Sequence, residues 1–252
     1  MAKNRYFIEL SYNGNNYHGW QKQTNAITIQ QKIEEVLSTL LSENIETIGA
    51  GRTDTGVHAR NFIAHFDSCK DGLEKNYDLI YRLNCLLPYD IVVHKIYLVK
   101  PHNHARYDAI SRTYRYYITQ SKNPFNHDFS YFLYGNIDID KMNDACKYLL
   151  KYDDFASFSK LHSNNKTTLC TIFNAEWSKK DDYLIFTIRA NRFLRDMVRA
   201  IVGTLLKIGF GKISIEDFIR IIETKKRSEI SRSVPAKGLF LEDIEYPYDF
   251  RK

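Results

Sequence analysis

One run of eleven residues, Gly49-Ala50-Gly51-Arg52-Thr53-Asp54-Thr55-Gly56-Val57-His58-Ala59, gathers the residue types that do chemistry onto a turn. Glycine lets a backbone turn sharply and approach a ligand closely. Asp54 stands among Arg52, Thr53 and Thr55. A carboxylate near cationic groups stays ionised, which suits a nucleophile better than a general acid. An aspartate at such a place also closes an Asx-turn with its own backbone, and the run by itself leaves both roles open.

A second segment, Arg106-Tyr107-Asp108-Ala109-Ile110-Ser111-Arg112-Thr113-Tyr114-Arg115-Tyr116-Tyr117, interleaves arginine with tyrosine. With a period of two, Arg112, Tyr114 and Tyr116 share one face of a strand. Such a face binds phosphates and stacks bases. Tyrosine is equally at home in any strand, and arginine covers apolar surface with its stem. A third segment runs Arg189-Ala190-Asn191-Arg192-Phe193-Leu194-Arg195-Asp196-Met197-Val198-Arg199. Read as a helix, it places Arg192, Arg195 and Arg199 within about 60° of one another, beside an apolar sector. That stripe would pair carboxylates or phosphates bidentately, or form an ordinary solvated helix edge. A fourth segment, Val234-Pro235-Ala236-Lys237-Gly238-Leu239-Phe240-Leu241, reads only as a turn leading into a strand. His18, His58, His65 and His104 have no metal-ligand spacing, and the four scattered cysteines form no CxxC, so neither a metal site nor a disulfide framework is expected. The cysteines read as reduced, mostly buried thiols.

The chain has 252 residues, with 36 Lys plus Arg against 30 Asp plus Glu and a net charge of +6. Residues 100–122 carry +4, residues 189–212 carry +5 and residues 225–237 carry +4, which leaves the remainder near −7. Basic segments on an acidic remainder point to a localised polyanion site. No apolar run approaches the ~20 residues of a membrane helix. Met1-Ala2-Lys3-Asn4-Arg5 leads straight into a strand-like segment with no signal-peptide core, so a cytoplasmic protein without a membrane partner is expected.

The elements that must position these residues follow from periodicity. Strands are predicted over residues 5–12, 45–50, 61–67, 91–99, 112–119, 168–177, 183–190 and 238–246. Helices are predicted over 78–87, 140–151, 193–208 and 215–223, and another opens at Thr28, where Thr28-x-x-Gln31 matches a capping box. The fold class is α+β, with two ferredoxin-like (RRM-like) β-α-β-β-α-β halves around a central cleft. The halves are placed at 1–103, carrying the Asp54 loop, and 104–252, carrying the Tyr114 strand and the arginine helix, with a hinge near 100–109.

Taken together and in order, several segments resemble the tRNA pseudouridine synthase A family nearly end to end. They are Tyr17-His18-Gly19-Trp20-Gln21-Lys22-Gln23, the Gly49–Ala59 loop, Leu83-Asn84 through Leu87-Pro88-Tyr89-Asp90-Ile91, and His104-Ala105-Arg106. Arg112-x-Tyr114-x-Tyr116, Phe193-Leu194-x-x-Met197-Val198-Arg199 and Pro235-Ala236-x-Gly238-Leu239 complete the set. The resemblance implies a pseudouridine synthase fold and isomerisation of uridine to pseudouridine at positions 38, 39 and 40 of the tRNA anticodon arm. It further implies a homodimer using neither metal nor organic cofactor. Asp54 matches the family's essential aspartate, Tyr114 its substrate-stacking tyrosine, Arg199 the arginine paired to that aspartate, and Arg52 a basic residue that displaces the target base. Arg112, Arg192 and Arg195 are the further candidates for RNA contact. Arg192 and Asn103 depart from the family pattern, and the departures are expected to bear on RNA contacts.

Two rivals stand beside this reading. One is a non-catalytic RNA-binding protein, which an aspartate among the phosphate contacts would only weaken by repulsion. The other is the same enzyme acting on a different RNA.

Overall fold

The computed structural model describes residues 3–160, 167–226, 230 and 233–251. The chain divides into two compact units, Met1–Ile110 with Leu241–Lys252, and Ser111–Phe240.

The first unit is built on β1 (Asn4–Tyr12), α1 (Ile29–Leu41), β2 (Thr47–Gly49), β3 (His58–Ser68), α2 (Tyr77–Leu86) and β4 (Ile91–Val99). β1 lies between β4 and β3, β2 pairs with β3, and all three pairings are antiparallel. Tyr6, Ile8 and Leu10 are fully buried on the face their alternation predicts, yet Phe7 on the opposite face is also fully buried. The cover is the C-terminal tail, with Tyr246 at 5.6 Å and Phe250 at 5.0 Å from Phe7, ring to ring. Tyr246 Oη donates to the Ala105 carbonyl (2.6 Å) and Tyr248 Oη to Asp108 (2.6 Å), and these bonds fix the tail to this unit. Helix α1 opens as its sequence predicts, with Thr28 accepting from the Gln31 N–H. Only half of the capping box forms, because the Gln31 side chain donates forward to Glu35 (2.8 Å) instead of back to the cap. Ile29, Ile33, Leu37 and Leu41 face the core at a spacing of four.

The second unit holds β5 (Ser111–Thr119), β6 (Tyr131–Phe132), α3 (Ile139–Leu149), β7 (Ile172–Lys180), β8 (Tyr183–Ala190), α4 (Met197–Gly209) and α5 (Ile215–Thr224). β8 lies between β5 and β7 in antiparallel register. β6, a two-residue strand parallel to β5, is too short to leave a periodic signal. The unit boundary falls within β9 (Leu239–Glu245). Helix α4 is the core of this unit, buried on nearly every side from Met197 to Gly209.

The third segment of the sequence departs here from expectation. A helix from residue 193 is predicted, but Asp196 adopts a left-handed conformation (φ 68°) and α4 begins only at Met197. Arg192 and Arg195 therefore precede the helix, and the three-arginine helical stripe does not form. The cysteines also differ in part: Cys69 and Cys85 are exposed, while Cys146 and Cys170 are buried. Burial pushes the latter two thiols up to about 12 and about 11. Among the described residues, no helix is long and apolar enough to cross a membrane.

His65, on β3, is 3 % exposed, and its Nδ1 accepts from the Ala105 N–H (3.2 Å). Burial, reinforced by Arg5 and His104, pushes its pKa down from 6.5 to about 4. A neutral buried imidazole stabilises the fold fully above the unfolded pKa, and that contribution is lost as pH falls from about 6.5 toward 4. Denaturant unfolding is expected to show stability falling by roughly 2 kcal/mol across that window. His65→Asn, which keeps an acceptor but cannot titrate, is expected to flatten the fall, and an unchanged slope in that variant would contradict the assignment.

Candidate active site

Asp54 stands on the connection between β2 and β3, and the main chain holds that connection from several sides. The Ala50 N–H donates to Ile63 (2.8 Å), the Trp20 N–H to the Thr53 carbonyl (3.2 Å), the Gly56 N–H to Tyr17 (3.3 Å) and the Val57 N–H to the Asp54 carbonyl (3.1 Å). The last bond closes a β-turn whose third residue, Gly56, has φ 76°, the conformation that favours glycine. The turn is thus closed by main-chain groups. Side chains complete the hold. Tyr12 Oη and Thr53 Oγ1 are 2.9 Å apart, and the Gly14 N–H donates to His58 Nδ1 (3.1 Å). Thr53 is buried, Asp54 half-buried and Thr55 exposed, so the loop lifts its aspartate out of a fixed base.

That base is the segment around residues 13–23. Trp20 is 1 % exposed and stacks on Phe62 at 4.1 Å. Gly19 has φ 85°, and a Cβ there would stand 2.2 Å from the Thr53 carbonyl oxygen, so only glycine lets the two backbones approach this closely. The Leu83–Ile91 motif supports the same segment from behind. Asp90 accepts from Tyr17 Oη (2.5 Å) and Asn16 Nδ2 (3.0 Å), while Asn84 exchanges two 2.8 Å bonds with the Val93 backbone. Burial, with the Asp90 carboxylate, pushes the Tyr17 hydroxyl far above its usual range. Arg52 is exposed, and its Nε donates to Gln21 Oε1 (3.1 Å).

In the second unit, Tyr114 sits on β5 opposite Ile188, half-buried, with Phe193 edge-on to its ring at 5.1 Å. Its neighbour on the same face, Tyr116, is fully buried, and its Oη donates to the Pro235 carbonyl (2.8 Å). A Cβ at Gly238 would lie 2.8 Å from that ring, so the fourth segment, mute in the sequence, closes over Tyr116. Arg112 Nη1 donates to the Asn191 carbonyl (2.8 Å). Arg199, in the first turn of α4, pairs with Asp196 (2.6 Å) and donates to the Val234 carbonyl (3.4 Å); Asp196 also accepts from Ser233 Oγ. Arg192 is half-buried and Arg195 exposed, the latter accepting at its carbonyl from the Lys160 N–H (3.0 Å).

The structure therefore puts Arg52 and Asp54 on one clamped loop, and Tyr114, Arg112, Arg192, Arg195 and Arg199 in the other unit. Of the third basic window, Arg227 and Arg232 lie outside the described residues. Asn103 is 6 % exposed and its carbonyl accepts from Arg5 (3.1 Å). Sequence reasoning did not single out Asp196, Phe193 or Gln21. The spacing of Asp196 and Arg199 at i,i+3 was an available signal, whereas the left-handed backbone of Asp196 itself was not. Among the described residues, no group of three or more His, Cys, Asp or Glu side chains is placed to hold a metal ion.

Gly19→Ala tests the clamp. The variant is expected to lose about 2 kcal/mol or more of stability from the steric conflict with Thr53 and the left-handed backbone. A thermal midpoint equal to that of the unaltered protein would show that the approach of the two backbones is not tight.

Comparison with known proteins gives a consistent result. Residues 145–247 match the family described as tRNA pseudouridine synthase. The tRNA pseudouridine synthase A of Parabacteroides distasonis is 53% identical over 246 residues, covering 96% of this chain and 96% of that protein. That of Bacteroides fragilis is 51% identical over 250 residues, covering 99% of both. That of Francisella tularensis subsp. holarctica is 36% identical over 258 residues, covering 98% of this chain and 96% of the relative. With identity of this degree along nearly its whole length, the chain belongs to the tRNA pseudouridine synthase A family.

Proposed function

We propose that this tRNA pseudouridine synthase isomerises uridines 38, 39 and 40 of the anticodon stem-loop, with Asp54 as the group that acts at C1′. The observation that carries the assignment of Asp54 is its presentation. It is a half-buried carboxylate at the tip of a turn closed by main-chain bonds and clamped on buried Thr53 and Trp20. A group that must meet a sugar carbon at a set distance needs this kind of fixed support.

The reaction breaks the N1–C1′ bond, turns the detached uracil and joins C5 to C1′. Asp54 serves as nucleophile at C1′ or as the base that assists elimination to a glycal, and ionisation suits either role. Arg199 is the proposed cationic partner of that carboxylate in the reaction. Its own pairing with Asp196 and the Val234 carbonyl supports this role by fixing the guanidinium before substrate arrives. Tyr114 stacks on the uracil and accepts or relays the C5 proton, with Phe193 holding its ring upright. Tyr116 takes no part, being buried and tied to Pro235. Arg52, exposed beside Asp54, displaces the target base from its stack. Arg112, Arg192 and Arg195 contact the RNA backbone. The protein works in the cytoplasm as a homodimer without metal or organic cofactor.

Asp54→Asn is expected to abolish tritium release from tRNA carrying 5-tritiated uridine, while tRNA affinity stays within about twofold, since the carboxylate makes no phosphate contact. Turnover by that variant would overturn the assignment. Log affinity against log salt should slope by about −0.7 to −0.9 per phosphate neutralised. Removing Arg192 and Arg195 together should flatten that slope by roughly two contacts and weaken all tRNAs alike. A slope unchanged by the double substitution would mean that these side chains do not reach the RNA.

A further inference from the structure

The wall of the Arg52 loop carries a directional hydrogen-bond chain that ends on the Arg52 guanidinium. Its first member is Gln30, on α1 and 8 % exposed. Gln30 Nε2 donates to the Thr47 carbonyl (2.8 Å) and to Glu34 Oε1 (3.0 Å), while Oε1 accepts from the Lys22 N–H (2.9 Å) and from Gln21 Nε2 (3.0 Å). A carbonyl can only accept and a backbone N–H can only donate, so Thr47 and Lys22 fix which end of the Gln30 amide is which. With Oε1 of Gln30 turned toward Gln21, only the Gln21 NH2 can face it. Oε1 of Gln21 must then point the other way, where it accepts from Arg52 Nε (3.1 Å). Glu34 anchors the far end: its Oε1 accepts from the Thr47 N–H (2.8 Å) and Oγ1 (3.1 Å), and its Oε2 pairs with Lys22 (3.2 Å).

We propose that Gln21, with its amide polarity imposed by Gln30, is a positioning residue for the reaction: it holds Arg52 by Nε alone and leaves both terminal nitrogens of the guanidinium for the RNA. The proposal rests on the reading that Arg52 acts on the substrate. Arginine loses less freedom per hydrogen bond when its planar fork is held in advance, so an anchored Nε favours the step in which the base is displaced. The chain also explains the use of glutamine at position 21. Glutamate there would still accept from Arg52 but would meet Gln30 Oε1 with a second acceptor.

The test is a double-mutant cycle in single-turnover pseudouridine formation on unmodified tRNA, using Gln21→Met, Arg52→Ala and the pair. Met keeps the length of the side chain and removes both hydrogen bonds, and residue 21 is only half-buried, so the thermal midpoint is expected to hold. Gln21→Met is expected to slow the saturated rate about tenfold, with tRNA affinity within about twofold, and to have no further effect once Arg52 is alanine. A Gln21→Met loss of equal size in both backgrounds, or a loss matched by a fall in thermal midpoint, would mean a merely structural glutamine and overturn the proposal. An undiminished rate in Arg52→Ala would also overturn it, by removing Arg52 from the reaction. Failure of the underlying chemistry is distinguishable, because the unaltered protein would then form no pseudouridine at all.

Discussion

The close approach of Gly19 and Trp20 to the Thr53 carbonyl is the constraint on which the rest of the first unit depends. A backbone–backbone contact of this kind is satisfied only if both chains are placed within a few tenths of an ångström. Everything behind the contact serves that placement. Trp20 is wedged on Phe62, Tyr17 is tied to Asp90, and Asn84 joins α2 to β4 by two bonds. Motifs that lie about thirty residues or more from Asp54 in either direction are thus parts of one support. Loosening it would change the position of the carboxylate without touching the carboxylate itself, which is how a residue remote from the chemistry comes to matter for rate.

The second unit applies the same economy to its own polar groups. Tyr114 and Tyr116 share a face and a residue type but not a role. Burial and a bond to Pro235 commit Tyr116 to the fold, whereas Tyr114 is only half-buried and has Phe193 edge-on to its ring. Arg199 is likewise bound on one side, by Asp196 and Val234.

Much of this was legible in the sequence, and the remainder was not for identifiable reasons. Strand β4 and strand β8 fall where alternation and β-branching place them, and the Thr28 cap was readable from residue types alone. The start of α4 was misread because periodicity runs smoothly through residues 193–197, while the break depends on one left-handed residue, Asp196, that is not glycine. Phe7 escaped notice as a core residue because the aromatic tail that covers it lies at the far end of the chain. The loop stands out by its composition, with glycines, Arg52 and Asp54 gathered on one turn. That its turn is closed by a main-chain bond across Gly56 is a matter of geometry that residue types alone could not supply.

The central claim is that a fixed Asp54 carries out the isomerisation of uridine in the tRNA anticodon arm. Its most direct test is pseudouridine mapping of total tRNA from the host, comparing unaltered cells with cells whose only change is Asp54→Asn in this protein. Pseudouridine is expected to disappear at positions 38, 39 and 40 while pseudouridines elsewhere in the same tRNAs persist. Unchanged modification at all three positions would contradict the claim.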